Sequence, residues 1–263
     1  MRVNRLNEME SYVFAQGSAS LEGLSRQFDI SLNTARRDVN ELLKRGTIQK
    51  VYGGVIASPQ QATPIPISSR ETCNTEAKHI IAQLAASQIS DGATIFMDNG
   101  TTVSAIVPFL AAKSGLVIVT NSLTVISEAP KYPSISFYSL GGFYNKDTSS
   151  FVGDNILQAL DGFSVDMAFI GTTGITIENG LTTGAYFERP IKRHIMEHCA
   201  KRRIVLADTT KFGRNALFSF AGIRDFDVII TEAAPPKNFA DFFQLNNIRA
   251  LFPMKGESHE NVD

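Results

Sequence analysis

Three things are scarce in this 263-residue chain, and each scarcity narrows the class of protein it can be. There are two cysteines, Cys73 and Cys199, whose spacing matches no metal-binding motif, so we expect two reduced thiols and no bound metal. No apolar run approaches the ~18 residues that a bilayer-spanning helix needs. The N-terminus leads into an amphipathic stretch instead of an apolar signal segment, so we expect a cytoplasmic protein without a membrane segment.

A strong net charge is also missing. The formal charge is −1 at pH 7, which by itself gives no indication of nucleic-acid binding. Residues 1–57 carry eight Lys/Arg and six Asp/Glu, a formal +2, and the remainder carries a formal −3. The positive charge of the first segment fits a DNA-binding head on a neutral body, although the charge difference between the two parts is small. The length is sufficient for two domains.

The first 57 residues predict three short helices and a β-ribbon. Apolar side chains recur at helical spacing at positions 6, 9, 13 and 14 and again at positions 21, 24 and 28. Ser20 suits the N-cap of the second helix and Ser31 that of a third, which runs to about residue 45 and ends at Gly46. Apolar positions 48, 51 and 55 then alternate around a glycine pair, which predicts a wing.

The third helix has two faces of different chemistry. The apolar face, which must pack on the first two helices, comprises Ala35, Val39, Leu42 and Leu43. The opposite face carries Asn33, Arg37, Asn40 and Lys44. In the major groove arginine can pair with guanine and asparagine with adenine, while lysine neutralises phosphate.

These faces predict a helix-turn-helix that binds DNA. Thr34 and Arg36 lie at the flanks, where they would meet the DNA backbone, and Lys50 and Tyr52 of the wing could touch phosphate or the minor groove. Two alternatives remain at this point: a small helical bundle with a solvated polar face, and a helix-turn-helix used for protein contact.

The head resembles the N-terminal signature of the DeoR family of bacterial regulators. The resemblance lies in SLNTARRDVNEL at 31–42 and VYGGV at 51–55, where the family has a Thr-x-Arg-Arg-Asp-Leu core and a wing ending in Gly-Gly. Val39 replaces the usual leucine, and Tyr52 stands where many members carry histidine, which bears on a wing contact. The resemblance implies a DNA-binding head.

A linker and an α/β domain follow. We assign residues 58–74, which begin with a stretch rich in proline and small polar side chains, as an extended linker, 75–252 as a second domain and 253–263 as a tail. Helical patterns occupy 76–89, 101–112, 123–129 and 186–201. Apolar strands alternate with them at 94–97, 116–120, 135–140, 166–171, 203–207, 227–231 and 249–252. The alternation predicts a mostly parallel sheet covered by helices on both faces.

Polar and glycine-rich clusters follow four of these strands. They are Asp98-Asn99-Gly100-Thr101-Thr102, Thr120-Asn121-Ser122, Gly141-Gly142 and Gly171-Thr172-Thr173-Gly174. Each alone is typical of a turn with capping residues. Because ligands of parallel sheets bind at the carboxyl ends of the strands, the four together predict a shared anion pocket, with the first loop holding a phosphate at a helix N-terminus.

Two lysines are candidates to complete the pocket. Lys211 lies just past a strand, and Lys192 follows Glu188 on a predicted helix, although a solvated surface lysine is the ordinary expectation for either. The basic run at 201–203 is interpreted as a helix C-terminus that complements the helix dipole.

These clusters resemble the C-terminal domain of the DeoR family, which is similar in fold to ribose-5-phosphate isomerase and the coenzyme A transferases. The resemblance runs from about residue 75 to 252 and includes Glu188 with Lys192 and ADTTKFG at 207–213. It implies that the pocket binds a phosphorylated sugar or sugar derivative.

An isomerase or transferase with an accessory head is the alternative. Sugar-phosphate isomerisation needs a carboxylate base near the pocket, and the stretch 171–175 offers none, while Asp166 starts its strand and is expected to lie away from the pocket. Asp98 and Glu188 remain available, so catalysis is not expected but stays open. A protein-interaction module would leave the phosphate-type loops unexplained.

The sequence therefore predicts a regulator, by family habit a repressor of a carbohydrate-utilisation operon. A phosphorylated sugar would control its affinity for double-stranded operator DNA. Palindromic operators imply a homo-oligomer, a dimer or tetramer. No catalytic residue, cofactor or metal is expected.

Overall fold

The N-terminal head is a helix-turn-helix with a three-stranded wing. The computed structural model describes residues 5–6, 8–9, 12–13, 18–44, 48–51, 53–57 and 67–253, and the described residues between 5 and 13 are helical. The next elements are β1 (Ser18–Ala19), α1 (Leu21–Gln27), α2 (Leu32–Lys44), β2 (Ile48–Val51) and β3 (Gly54–Ala57). The wing sheet is antiparallel in the order β1-β3-β2.

Side-chain hydrogen bonds cap the N-termini of α1 and α2 at the serines that the sequence predicts. The Ser20 hydroxyl accepts from Gly23 N at 3.0 Å, and the Ser31 hydroxyl accepts from Thr34 N at 3.2 Å. The helices meet over a core of Leu6, Met9, Val13, Leu24, Val39, Leu42, Ile48 and Val55. Among the predicted apolar positions Leu21, Phe28 and Leu43 are only partly buried and Val51 is exposed, whereas position 14 and the predicted helix end at 45–46 lie outside the described residues.

The wing needs glycine at positions 53 and 54 for steric reasons. Gly53 has φ +86°, a conformation that other L-residues rarely adopt. Gly54 lies so close to β1 that a Cβ there would stand 2.3 Å from the Ala19 carbonyl oxygen. The pair therefore allows the turn between β2 and β3 and the pairing of β3 with β1.

The body alternates helices and strands. In chain order its elements are α3 (Ile67–Glu71), α4 (Thr75–Ser87), β4 (Thr94–Met97), α5 (Thr101–Ser104), β5 (Leu116–Thr120), α6 (Leu123–Glu128), β6 (Ile135–Ser139), β7 (Phe143–Asn145), β8 (Ser150–Val152), α7 (Asp154–Leu160), β9 (Val165–Gly171), β10 (Gly174–Thr176), β11 (Gly180–Thr183), α8 (Glu188–His194), β12 (Ala200–Leu206), β13 (Phe218–Ala221), β14 (Val228–Ile230), α9 (Lys237–Leu245) and β15 (Arg249–Leu251).

A seven-stranded sheet forms the centre of the body. Its order is β15-β14-β12-β9-β4-β5-β6, and every neighbouring pair is parallel, which confirms the predicted sheet. Alternate side chains of β4 enter different cores: Ile95 and Met97 pack against α4, α5 and α6, and Phe96 packs on the side of α7, α8 and α9. Because all the strands are parallel, their carboxyl ends meet at one edge, where the candidate site lies.

Two small antiparallel units were not predicted. β7 and β8 form a hairpin, and β10, β11 and β13 form a separate sheet in which Leu181 lies opposite Ile175 on one side and Ala221 on the other.

Three predicted segments differ from the structure. The helix expected at 101–112 ends at Ser104 and is followed by a 3-10 turn, Val107–Leu110, which contains a proline. The helix expected at 186–201 runs from 188 and closes in a π-turn, Ile195–Cys199. Within the predicted linker, α3 is helical and its first amide donates to Asp147 O at 3.2 Å.

The interpretation of the basic run 201–203 as a helix C-terminus is wrong, because these residues belong to β12. Carboxylates at the starts of neighbouring strands neutralise two of the charges. Lys201 Nζ lies 2.8 Å from Asp166, and Arg203 lies 2.9 Å from Asp227. Asp166 thus lies at the amino edge of the sheet, away from the candidate site, as predicted.

Candidate functional site

The outward face of α2 is polar and exposed. Its buried residues are Ala35, Asp38, Val39 and Leu42, and the exposed ones include Asn33, Arg36, Arg37, Asn40 and Lys44. Thr34 is half-buried, and its hydroxyl lies 2.9 Å from the Ser31 hydroxyl. Lys50 is exposed on β2, and Tyr52 lies outside the described residues. The structure thus brings the candidate major-groove side chains together on one free face of one helix.

One charged residue of α2 is buried. Asp38 has no exposed surface, and its Oδ2 lies 2.8 Å from both Nε and a terminal nitrogen of Arg5. This ion pair joins the N-terminal helical segment to α2. The sequence indicates that Asp38 is buried, because this residue falls on the apolar face of the helix between Ala35 and Leu42.

At the carboxyl edge of the sheet, Asp98 and Lys192 form a buried ion pair. Asp98 Oδ2 accepts from Lys192 Nζ and, at 2.9 Å, from Gly171 N, and Lys192 also donates to Gly171 O at 3.0 Å. Their side chains are 1% and 4% exposed. Burial raises the pKa of Asp98 above its ordinary value, although Lys192 acts in the opposite direction. Asp98 Oδ1 is buried without a hydrogen-bond partner among the described residues.

Glu188 connects the same loop to the small sheet. Its Oε1 accepts from Asn99 Nδ2 at 2.5 Å, and its Oε2 accepts from the Thr183 hydroxyl at 2.7 Å. All three side chains are buried. Glu188 and Lys192, both candidates from the sequence, therefore each contact a different residue of the loop that follows β4.

That loop turns into α5 through Gly100. Gly100 has φ +140°, and a Cβ there would meet nothing within 4 Å, so its backbone faces open space. Thr101 and Thr102 are half-buried in the single turn of α5. In the predicted phosphate loop, residues 100–102 are therefore partly accessible, whereas Asp98 and Asn99 are buried. The helix that follows the loop is too short to supply a strong dipole.

The segment 120–122 is buried and tied to its neighbours. The Thr120 hydroxyl donates to Met97 O at 2.6 Å and accepts from Ser122 N at 3.0 Å, while Ser122 caps α6. Asn121 donates to Phe151 O at 2.9 Å, and its Oδ1 is buried without a hydrogen-bond partner in the described part of the chain. Thr120 and Ser122 thus hold the strand end, and Asn121 keeps one free acceptor.

Two predicted groups are engaged elsewhere. Gly141 and Gly142 are exposed beside the β7–β8 hairpin, where Gly141 O accepts from Asn155 at 2.8 Å. The Thr172 hydroxyl lies 2.8 Å and 3.0 Å from backbone carbonyl oxygens of the small sheet. The hydrogen bonds of the described residues do not join these groups to Asp98 and Lys192.

The charge of Lys211 acts on Lys78, a lysine that the sequence did not suggest as part of the site. Lys211 Nζ lies 3.8 Å from Asp208, whose pKa is lowered because Lys211 and hydrogen bonds from Thr210 outweigh burial, which alone would raise it. Lys78 of α4 is also buried, and its pKa is lowered by burial and then by the charge of Lys211. In the sequence Lys78 looks like any polar residue of an exposed helix.

In the part of the chain that the structure describes, no three His, Cys, Asp or Glu side chains are grouped so that they could hold a metal ion. None of the helices described in the structure is long and apolar enough to cross a membrane.

Comparison with known proteins identifies the family. A model of the DeoR-like helix-turn-helix domain matches residues 5–61, and one of the DeoR C terminal sensor domain matches residues 73–233. The chain is 37% identical to the HTH-type transcriptional regulator IolR of Bacillus subtilis (strain 168) over 88% of this chain and 91% of that protein. It is 33% identical to the glycerol-3-phosphate regulon repressor of Escherichia coli (strain K12), over 89% and 92%.

Among solved structures the chain is similar to ribose 5-phosphate isomerase A from Methanocaldococcus jannaschii, with 20% identity, a TM-score of 0.38 and coverage of 53% of this chain and 55% of that one. Both curated relatives are named for regulation, one as a transcriptional regulator and the other as a regulon repressor. The chain belongs to the DeoR family of transcriptional regulators, with a helix-turn-helix DNA-binding domain followed by the family's sensor domain.

Proposed function

We propose that this regulator is a cytoplasmic repressor of a carbohydrate-utilisation operon and that a phosphorylated sugar controls its affinity for operator DNA. The proposal rests on the occurrence of two sites in one chain. The head has an exposed basic and amide face on α2, and the body has a buried polar site at the carboxyl edge of its sheet. A relative is named as the repressor of a glycerol-3-phosphate regulon, which supports a phosphorylated ligand.

The DNA contacts are assigned by residue chemistry. Arg37 and Asn40 lie on the exposed face of α2 and have the donors that read guanine and adenine. Lys44 is also exposed and neutralises phosphate, although it has a weak ion pair with Glu41 at 3.9 Å. The proposed DNA-binding set is Asn33, Thr34, Arg36, Arg37, Asn40, Lys44, Lys50 and Tyr52.

The effector contacts are assigned to the strand-end loops. Asp98 Oδ1 and Asn121 Oδ1 are buried acceptors without partners in the described residues, and the hydroxyl groups of a sugar would satisfy them. Gly100 offers open backbone and Lys211 a partly exposed positive charge. We retain Thr101, Thr102, Gly171, Glu188 and Lys192 as neighbours of the ligand, and we treat Gly141, Gly142 and Thr172 as peripheral.

Control of DNA binding requires two states of an oligomer. Two heads must match the spacing of two operator half-sites, so we propose at least a dimer, with dimer and tetramer both compatible with a palindromic operator. The effector shifts the equilibrium only by the difference in its affinity for the DNA-binding and released states.

The experiment is a mobility shift at fixed salt with DNA from the region upstream of the chain's own gene. We expect specific retention that Arg37→Ala weakens by about 1–3 kcal/mol. Arg224→Ala removes the same charge from an exposed position of the body and should leave DNA affinity unchanged. A panel of sugar phosphates is then added, and one member should release the DNA. Equal retention of unrelated DNA, or turnover of a sugar phosphate without DNA binding, would contradict the proposal.

A further inference from the structure

Four apolar side chains form a patch beside the small sheet of the body. Tyr186 and Phe187, between β11 and α8, are 60% and 58% exposed, and Leu217, just before β13, is 47% exposed. The Tyr186 ring contacts the rings of Phe187 and Phe218, at centroid distances of 5.6 Å and 5.3 Å. We call Tyr186, Phe187, Leu217 and Phe218 the aromatic patch. Single exposed apolar residues are ordinary, whereas a group in mutual contact is typical of a surface that another molecule covers.

The size of the patch suits the centre of an interface between two proteins. An aromatic side chain buries about 150–250 Å², so the exposed fractions of Tyr186 and Phe187 leave about 180–300 Å² for contact. A stable interface takes about 800 Å² from each partner, with an apolar core inside a polar rim. The patch supplies the core, and tyrosine is enriched among the side chains that contribute most to association. Polar residues around the patch must supply the remainder.

The rim of the patch carries one charge of each sign. Arg189 Nε donates to Ser219 O at 2.7 Å, beside Phe218. Asn179 O accepts from the Ser219 hydroxyl at 2.8 Å, so the exposed Glu178, next in the chain to Asn179, lies on the same rim. Because a twofold axis brings identical faces together, the arginine of each copy can face the glutamate of the other. The patch is therefore complementary to a second copy of itself, whereas the uniform negative charge of DNA would match only the arginine.

We propose that two copies of this chain associate through the aromatic patch about a twofold axis. The inference rests on the proposed function, because two operator half-sites require two heads, and it names the surface that pairs them. Burial of the aromatic side chains of both copies supplies the free energy of association. The two arginine–glutamate contacts fix the orientation of the copies.

The patch is directly connected to the proposed effector site. Glu188 follows Phe187 in the chain, and its carboxylate accepts hydrogen bonds from Asn99 and from the Thr183 hydroxyl. A ligand that changes the position of Glu188 therefore also changes the position of Phe187 at the interface. The effector can thus alter the spacing of the two heads, provided that its affinity differs between two arrangements of the dimer.

The test is the mass of the full chain in sedimentation equilibrium at micromolar concentrations. We expect a dimer or a tetramer, and Phe187→Glu should at least halve its mass, because the change buries two carboxylates in each interface. Phe143→Glu and Leu245→Glu are the matched controls, since each places the same charge at an exposed apolar position of another element, β7 or α9. Their masses should equal that of the unmodified chain. All three positions are exposed, so circular dichroism should show an unchanged fold.

Charge reversal tests the twofold arrangement. Arg189→Glu places like charges opposite each other and should raise the dissociation constant of the oligomer at least tenfold. The addition of Glu178→Arg to the same chain restores opposite charges across the axis and should restore association. If the double variant associates no better than Arg189→Glu alone, the twofold arrangement is overturned.

Operator binding separates this inference from the proposed function. Arg37→Ala should lose operator affinity and keep the mass of the unmodified chain, whereas Phe187→Glu should lose both. An unchanged mass for Phe187→Glu, with or without weaker binding of a sugar phosphate, overturns the interface and leaves the regulator intact. Dissociation of either control variant overturns the interface as well. If the unmodified chain binds no specific DNA, the proposed function fails, while the mass measurements still decide the interface.

Discussion

Removal of the Lys192 ammonium should destabilise the body strongly, because it leaves the buried Asp98 carboxylate without a counter-charge. Oδ2 of Asp98 would keep only the hydrogen bond from Gly171 N, and Oδ1 has no partner among the described residues. Breaking a buried pair by removing one partner costs about 3–5 kcal/mol. In Lys192→Met most of the apolar stem is kept, so the loss reports on the charge.

The loss should depend on pH. Burial already raises the pKa of Asp98 against the influence of Lys192, and the pKa rises further once that influence is removed. In the variant the folded state therefore holds a proton that the unfolded state releases, so stability falls as pH rises through the folded pKa. The loss should be smaller at pH 5.5 than at pH 8. Asp98→Asn combined with Lys192→Met should cost about 2 kcal/mol less than the sum of the single changes.

Urea unfolding followed by far-ultraviolet circular dichroism is the suitable assay, because the chain has no tryptophan. The control is Lys131→Met, which breaks an exposed ion pair with Glu128, 2.8 Å long, and should leave the free energy of unfolding almost unchanged. The reasoning is refuted if Lys192→Met loses no more than this control at pH 8, or if its loss is the same at both pH values.

Three further outcomes are expected. Gly54→Ala should destabilise the head by about 1–3 kcal/mol and lower operator affinity in mobility shifts, because its Cβ would stand 2.3 Å from Ala19 O; affinity equal to that of the unmodified chain would contradict the wing geometry. Burial raises the pKa of Cys199 to about 11, so at pH 8 only about one thiol in a thousand is ionised. Iodoacetamide should therefore alkylate it far more slowly than free cysteine in a variant whose other cysteine is serine, and rapid alkylation would show that the thiol is exposed. Burial raises the pKa of Asp227, but hydrogen bonds from Arg203 outweigh it and lower the pKa, so Asp227→Asn should cost stability at pH 7 and the difference in urea unfolding should shrink as the pH falls below about 3.9, the ordinary value of an aspartate; a difference that does not shrink on acidification would exclude this ion pair as its cause.

Periodic patterns allowed most of the fold to be predicted. The apolar face of α2 and the continuous apolar strands of the large sheet are local signals, and both appear in the structure where the sequence places them. The sheet of β10, β11 and β13 could not be found in this way. Its strands have three or four residues, and Leu181 pairs with Ala221, forty positions away, so the pairing depends on the tertiary fold.

The site was predictable to the extent that it follows strand ends. Asp98 and Lys192, ninety-four residues apart, were both expected near one pocket, and the structure joins them. Lys78 was not expected, because a lysine on a helix is ordinarily exposed. The pKa of Lys78 is lowered by burial and by the charge of Lys211, which comes from a strand end far along the chain, and no local pattern records that environment.

The most direct test of the central claim is the reciprocity between the two ligands. The affinity of the full chain for the active sugar phosphate is measured by calorimetry, first with the protein alone and then with saturating operator DNA. If the effector controls DNA affinity, operator DNA must weaken effector binding by the same factor by which the effector weakens operator binding, and we expect a factor of about 5–150. Equal effector affinity with and without operator DNA would contradict the account.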